Sequence, residues 1–234
     1  MTKNKKIVIS ICAVVLSIVV VACGIYFFAV ILPKQIKQKE LQKTFEEYYN
    51  EKVASFEEQN KTLTNVDVAF VGDSLTDGYD LNTFYPQYNV VNRGISGDTT
   101  FGVENRLKIS LFDITPKVVV MLIGGNNYQT MFENYESILQ KFKTNLPGSH
   151  IVLLSLTALG QPYANLNSAF QQNNTQIETL AEQYQFEFVD VFTPLCDQTT
   201  GEIFPQYTTD GVHLTSQGYQ VLTNCITPLL QTLL

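Results

Sequence analysis

Five short apolar runs, at residues 66–71, 89–91, 118–123, 151–156 and 186–191, alternate along this chain with longer stretches of mixed polarity near 99–110, 132–145, 166–184 and 216–230. Runs rich in Val, Ile, Leu and Phe read as strands, and one as uniformly apolar as 118–123 reads as a strand buried on both faces. Strands joined by helix-length connections pair in parallel, with helices covering both sides of the sheet. The chain is therefore expected to be an α/β protein around a parallel sheet. The 174 residues beyond position 60 suffice for one such domain with its own core. In a sheet of this kind ligands bind beyond the carboxyl ends of the strands, so the residues that follow each run carry the functional information.

Four segments stand out. Gly72-Asp73-Ser74-Leu75-Thr76 directly follows the first run. Gly97 lies in the stretch from Val90 to Thr100, Gly124-Gly125-Asn126-Asn127 follows 118–123, and Asp210-Gly211-Val212-His213-Leu214 lies near the C-terminus. A serine hydroxyl is a poor nucleophile at its own pKa; it needs an imidazole to take its proton and a carboxylate to hold that imidazole in the right tautomer. The chain has two histidines. His150 precedes Ile-Val-Leu-Leu and reads as the lead-in to a strand, which leaves His213 as the base and Asp210, on the same turn, as its orienting acid. Acyl transfer also needs donors aimed at the oxyanion, and the Gly97 N–H and the Asn126 side-chain amide can supply them.

These four blocks, in this order, resemble the GDSL, or SGNH, hydrolase family over residues 66–230. The resemblance implies a flavodoxin-like three-layer sandwich with a central parallel sheet of about five strands. It also implies a serine esterase with Ser74, His213 and Asp210 as catalytic residues, an oxyanion hole formed by Ser74, Gly97 and Asn126, and no cofactor or metal. Asn127 departs from the pattern, standing where many members have Asp. Substrates of the family include acetylated polysaccharides, lysophospholipids and thioesters, so a small-molecule, glycan or lipid ester is the expected partner. An acyltransferase passing the acyl group to a sugar hydroxyl, and a non-catalytic glycan-binding module on the same fold, are the alternative functions; the intact Ser74, Asn126, Asp210 and His213 oppose the second.

Other readings of the same motifs are weaker. Asp73, Asp77 and Asp80 suggest a calcium loop, but Leu75 occupies a position where that loop needs an oxygen ligand. Asp210 and His213 lack a second histidine block for metal binding. No Lys-Ser or Lys-Thr follows Gly124-Gly125, as a phosphate loop requires, and the Gly-x-Ser-x-Gly elbow is absent.

Residues 7–32 form a stretch of 26 residues without a charge, about 39 Å long as a helix and enough to cross a hydrocarbon core. Residues 1–6 are a short basic N-terminus, 7–32 a transmembrane helix closed by Pro33, 33–60 a juxtamembrane helical stalk, and 61–234 the hydrolase domain. The lysines ahead of the span favour a cell-membrane protein whose catalytic domain lies outside, although Lys34, Lys37, Lys39 and Lys43 follow it. Val20-Val21-Ala22-Cys23 resembles a lipoprotein box, but the apolar stretch continues beyond Cys23. Periodic Ile36, Leu41, Phe45, Tyr48, Val53 and Phe56 mark the stalk as helical. Beyond residue 60 the chain carries 7 Lys plus Arg against 16 Asp plus Glu, a net of −9, which excludes nucleic acid as an expected partner. Cys196 and Cys225 could form a disulfide, but two buried thiols are the favoured reading.

Overall fold

The computed structural model describes Asn4 and residues 25–234, in two compact units, Met1–Tyr48 and Tyr49–Leu234. In the first unit, a π-helical turn at Phe27–Ile31 runs into helix α1 (Leu32–Asn60). The expected transmembrane span lies outside the described residues as far as residue 24. Among the described residues no helix is long and apolar enough to cross a membrane. Pro33, expected to close the span, instead lies in the first turn of α1. Leu32 N–H donates five residues back to Phe27 O, and a widened turn ahead of the proline accommodates a residue that has no N–H to contribute. Ile36, Leu41 and Phe45 are exposed. The second unit begins at Tyr49, so the last three turns of α1 belong with it; Phe56, in those turns, is buried.

The second unit is built on a five-stranded parallel sheet, β1 (Val68–Gly72), β2 (Val90–Gly94), β3 (Val118–Leu122), β4 (His150–Leu154) and β5 (Glu187–Val189), in the order β2-β1-β3-β4-β5. The central strands β1 and β3 are buried at every residue, as the uninterrupted apolar runs require when both sheet faces are covered. The helices α2 (Thr100–Leu107), α3 (Phe132–Asn145), α4 (Asn167–Tyr184) and α5 (Ser216–Leu233) supply that cover. A second, two-stranded antiparallel sheet pairs Cys196–Asp197 with Glu202–Ile203.

Two strands depart from their expected bounds. β2 runs on through Asn92 and Arg93 to Gly94, although both residues are polar. The Asn92 amide donates to Thr76 O and Tyr79 O at 2.7 and 3.1 Å, and the Arg93 guanidinium reaches the side chains of Gln59 and Asn60, so tertiary partners satisfy what strand propensity disfavours. β5 shrinks to three residues because it is an edge strand paired only with β4. The chain reverses its direction of growth between β1 and β3, and an α/β sheet opens a crevice for ligands at such a switch point.

Candidate active site

Ser74, Gly97 and Asn126 each follow the carboxyl end of a sheet strand, β1, β2 and β3, and the parallel register Gly72↔Gly94 and Gly72↔Leu122 brings those ends level. Directly after β1 the chain turns into a short helix, Ser74–Asp77, with Asp73 as its N-cap, the carboxylate accepting from Leu75 N at 3.1 Å. An Asp before a helical turn satisfies one of its orphan N–H groups. The turn rests closely on β2, since a Cβ on Gly94 would lie 2.1 Å from Asp77 N.

The Asp-x-x-His segment comes from the loop before α5. Asp210 Oδ1 accepts from Val212 N and His213 N at 3.0 and 2.8 Å, while its Oδ2 lies 2.7 Å from His213 Nδ1. Gly160 N donates to Gly211 O at 2.8 Å, and Thr208 Oγ1 and Thr209 N donate to His213 O. The loop is thus tied on both sides of the imidazole. His213 Nε2 then stands 3.1 Å from Ser74 Oγ. The hydrogen bond from His213 and those from the two backbone N–H groups hold the Asp210 carboxyl down at about 2, so it stays ionised through the neutral range. His150 opens β4 at the opposite end of the strands and is exposed.

On the other side of Ser74 lie the loops after β2 and β3. Gly97 adopts φ +80°, a left-handed conformation in which an L side chain is strained. Asn126, in the turn Gly125–Asn127, donates through Nδ2 to Asp98 O at 2.8 Å, which leaves its second amide hydrogen for a ligand. The neighbouring Asn127 accepts from Thr100 N and donates to Thr100 Oγ1, so this departure from the family pattern fastens the β3 loop to the first turn of α2. A cavity of about 370 Å³ opens beside Ser74, Asn126 and His213 and runs between Leu122, Leu156, Leu166, Phe170 and Val212. Its wall is mainly apolar.

Two features beside the site escape the sequence. Arg106 and Asp98 form an ion pair at 2.8 Å with both side chains almost fully buried. Arg106 also donates to Gly72 O, Arg93 O and Ser110 Oγ, joining the ends of β1 and β2 to the residue after Gly97. The one signal for it in the sequence is its place on the stripe Val103, Leu107 and Leu111, where helical spacing calls for an apolar residue. Asp77 accepts from Ser96 N and Ser96 Oγ, holding the loop of Gly97. Asp73, which caps the turn of Ser74, is buried in the wall of the cavity. Cys196 and Cys225 are free thiols, the first buried and the second half-buried, and burial pushes both thiols up.

Burial pushes the Asp73 carboxyl up to about 7. An acid whose folded pKa exceeds its unfolded value of about 3.9 binds its proton more tightly when folded. Stability from this group is therefore full at low pH and declines as pH rises from about 4 through about 7, a loss on the order of 4 kcal/mol. Asp73→Asn keeps the acceptor for Leu75 N and removes the charge. It is expected to raise the melting temperature relative to the parent at pH 8.5 by several degrees more than at pH 5. An equal effect at the two pH values contradicts a buried, ionising carboxyl.

The sequence pattern of the GDSL-like lipase/acylhydrolase family matches residues 70–221. Platelet-activating factor acetylhydrolase IB subunit alpha2 from Homo sapiens is 30% identical over 181 residues, which cover 72% of this chain and 77% of that protein. A Streptococcus pneumonia protein solved as a candidate platelet activating factor is 27% identical, with a TM-score of 0.78 over 84% of this chain and 99% of the other. A GDSL-like lipase from Bacteroides thetaiotaomicron is 25% identical, with a TM-score of 0.69 over 78% of this chain and 98% of the other.

Proposed function

We propose that this chain, which belongs to the GDSL-like lipase/acylhydrolase family and is an ester-hydrolysing enzyme, works through a Ser74-His213-Asp210 triad on small acyl esters. The observation that carries the reading is the continuous relay from Asp210 through His213 to Ser74, at 2.7 and 3.1 Å. Ser74 Oγ attacks the ester carbon while His213 Nε2 takes its proton; the same proton then passes to the departing alcohol, leaving an acyl-enzyme. Water, deprotonated by His213, releases the acid and restores Ser74. Asp210 holds the imidazole with Nδ1 protonated and stabilises the imidazolium.

Ser74 N–H, Gly97 N–H and the Asn126 amide are the donors for the oxyanion in this reading. Asn126→Ala is then expected to lower kcat by about 100- to 1000-fold, roughly 2.7–4 kcal/mol, with a much smaller change in KM. A tenfold rise in KM with kcat spared would make Asn126 a substrate contact instead. The acetylhydrolase named among the relatives and the limited cavity favour acetyl and other short acyl groups. A series of p-nitrophenyl esters of increasing chain length tests this, with kcat/KM expected to peak at the shortest chains and an optimum at long chains contradicting it. Product analysis with and without an acceptor sugar separates hydrolysis from acyl transfer.

The uncharged stretch at 7–32 supports an anchor in the cell membrane, with the enzyme outside. The full chain is expected to stay in the membrane fraction after a carbonate wash, and external protease to reach the enzyme in intact cells. Release by carbonate refutes the anchor, and protection of the enzyme reverses the orientation.

A further inference from the structure

We propose that Asp77 and Lys52 are positioning residues for the oxyanion loop, Lys52 acting from the last turns of α1. This rests on the reading of Gly97 as an oxyanion donor. Gly97 is exposed and has no side chain to fix it, so the direction of its N–H depends on how its neighbours are held. Ser96, the preceding residue, is held by Asp77: Oδ2 accepts from Ser96 N at 3.1 Å and from Ser96 Oγ at 2.7 Å. Asp77 is also the last residue of the helical turn that Ser74 begins, and Asp77 N donates to Asp73 O at 2.9 Å. One carboxylate therefore sets the spacing between the nucleophile turn and the loop that carries the donor. A shift of about 1 Å between such groups is enough to cost two orders of magnitude in rate.

The second oxygen of that carboxylate, Oδ1, accepts from Lys52 Nζ at 2.6 Å. Both side chains are largely covered, 27% and 11% exposed, so the ammonium balances a charge that water reaches poorly, and its loss weakens the hold on that carboxylate. Lys52 is itself seated, with Nζ 5.6 Å from the centre of the buried Phe56 ring. The same helix brackets the loop from both sides. Gln59 Oε1 and Asn60 Oδ1 accept from the Arg93 guanidinium at 2.6 and 2.7 Å ahead of it, and Tyr49 Oη donates to Gly102 O at 3.0 Å behind it. Residues 49–60 thus form a splint along the segment from Arg93 to Gly102, with the Lys52-Asp77 pair acting at Ser96, next to Gly97.

The test is steady-state hydrolysis of p-nitrophenyl acetate by the full-length protein in detergent. Lys52→Met is expected to lower kcat about tenfold with KM within about twofold, Lys52→Arg to recover to within about threefold of the parent, and Asp77→Asn to lose about 30- to 100-fold in kcat. Lys117→Met, which breaks an ion pair with Asp67 at the far end of the sheet, serves as the control and should leave kcat unchanged. If Asp77→Asn does not fold, the Met and Arg variants at position 52 decide the matter. Parental kcat in Lys52→Met, a rise in KM with kcat spared, or an equal fall in Lys117→Met each overturns the positioning role. Ser74→Ala run alongside separates this from the esterase reading: an active Ser74→Ala refutes that reading, whereas an inactive one beside a fully active Lys52→Met refutes only the role of the pair.

Discussion

Replacing Ser74 with alanine is expected to lower kcat for ester hydrolysis by a factor on the order of 10⁶ and to abolish labelling by a fluorophosphonate, without unfolding the protein. The hydroxyl is the group that forms the acyl-enzyme in the proposed mechanism, and among the described residues no other serine shares its place 3.1 Å from His213 Nε2. Its loss costs little stability, because Ser74 is half-buried and its oxygen meets an imidazole that is itself 50% exposed. A change within about 0.5 kcal/mol is the expectation for such a site. His213→Ala should cost nearly as much activity as Ser74→Ala, and the double variant hardly more, because the two groups act as a unit. Labelling that persists at another serine, mapped by mass spectrometry, removes Ser74 as the nucleophile.

The central strands were the easiest part of the chain to read. Val118 to Leu122 and Val68 to Val71 are apolar throughout because helices cover both faces of the sheet, and burial leaves that pattern whatever the details of packing. β2 was harder, since Asn92 and Arg93 owe their places to carbonyls and amides elsewhere in the chain, as far away as Gln59. Ser74, Gly97, Asn126, Asp210 and His213 were legible because each sits in a short block, and the topology brings the first three to one sheet edge. The scaffold between them was not. Arg106 links Gly72, Arg93 and Asp98, and only its position on an apolar stripe hints at burial. Lys52 left no hint at all, because a lysine that meets Asp77 across 25 residues looks in the sequence like every other lysine of a polar helix. Local patterns report backbone and burial, whereas ion pairs formed by folding report nothing until the fold is known.

Asp210→Asn is expected to lower kcat at neutral pH by about 10⁴, with Ser74 and His213 both still present. The asparagine oxygen can keep accepting from Val212 N and His213 N, as Asp210 Oδ1 does at 3.0 and 2.8 Å, so the loop is expected to hold its shape. The change falls on the other atom. Where Oδ2 now lies 2.7 Å from His213 Nδ1, an amide nitrogen presents hydrogens, and Nδ1 must turn acceptor. The ring proton then moves to Nε2, the atom that has to receive the proton of Ser74, and the base is lost although every residue around it is in place. Asp210 has a carboxyl held down at about 2, so its stabilising charge is complete above that range and is lost only as pH falls through it. The variant should instead gain activity steadily toward high pH, where hydroxide substitutes for the missing base. A variant that keeps more than about a tenth of parental kcat at pH 7 means that water orients this half-exposed imidazole as well as Asp210 does.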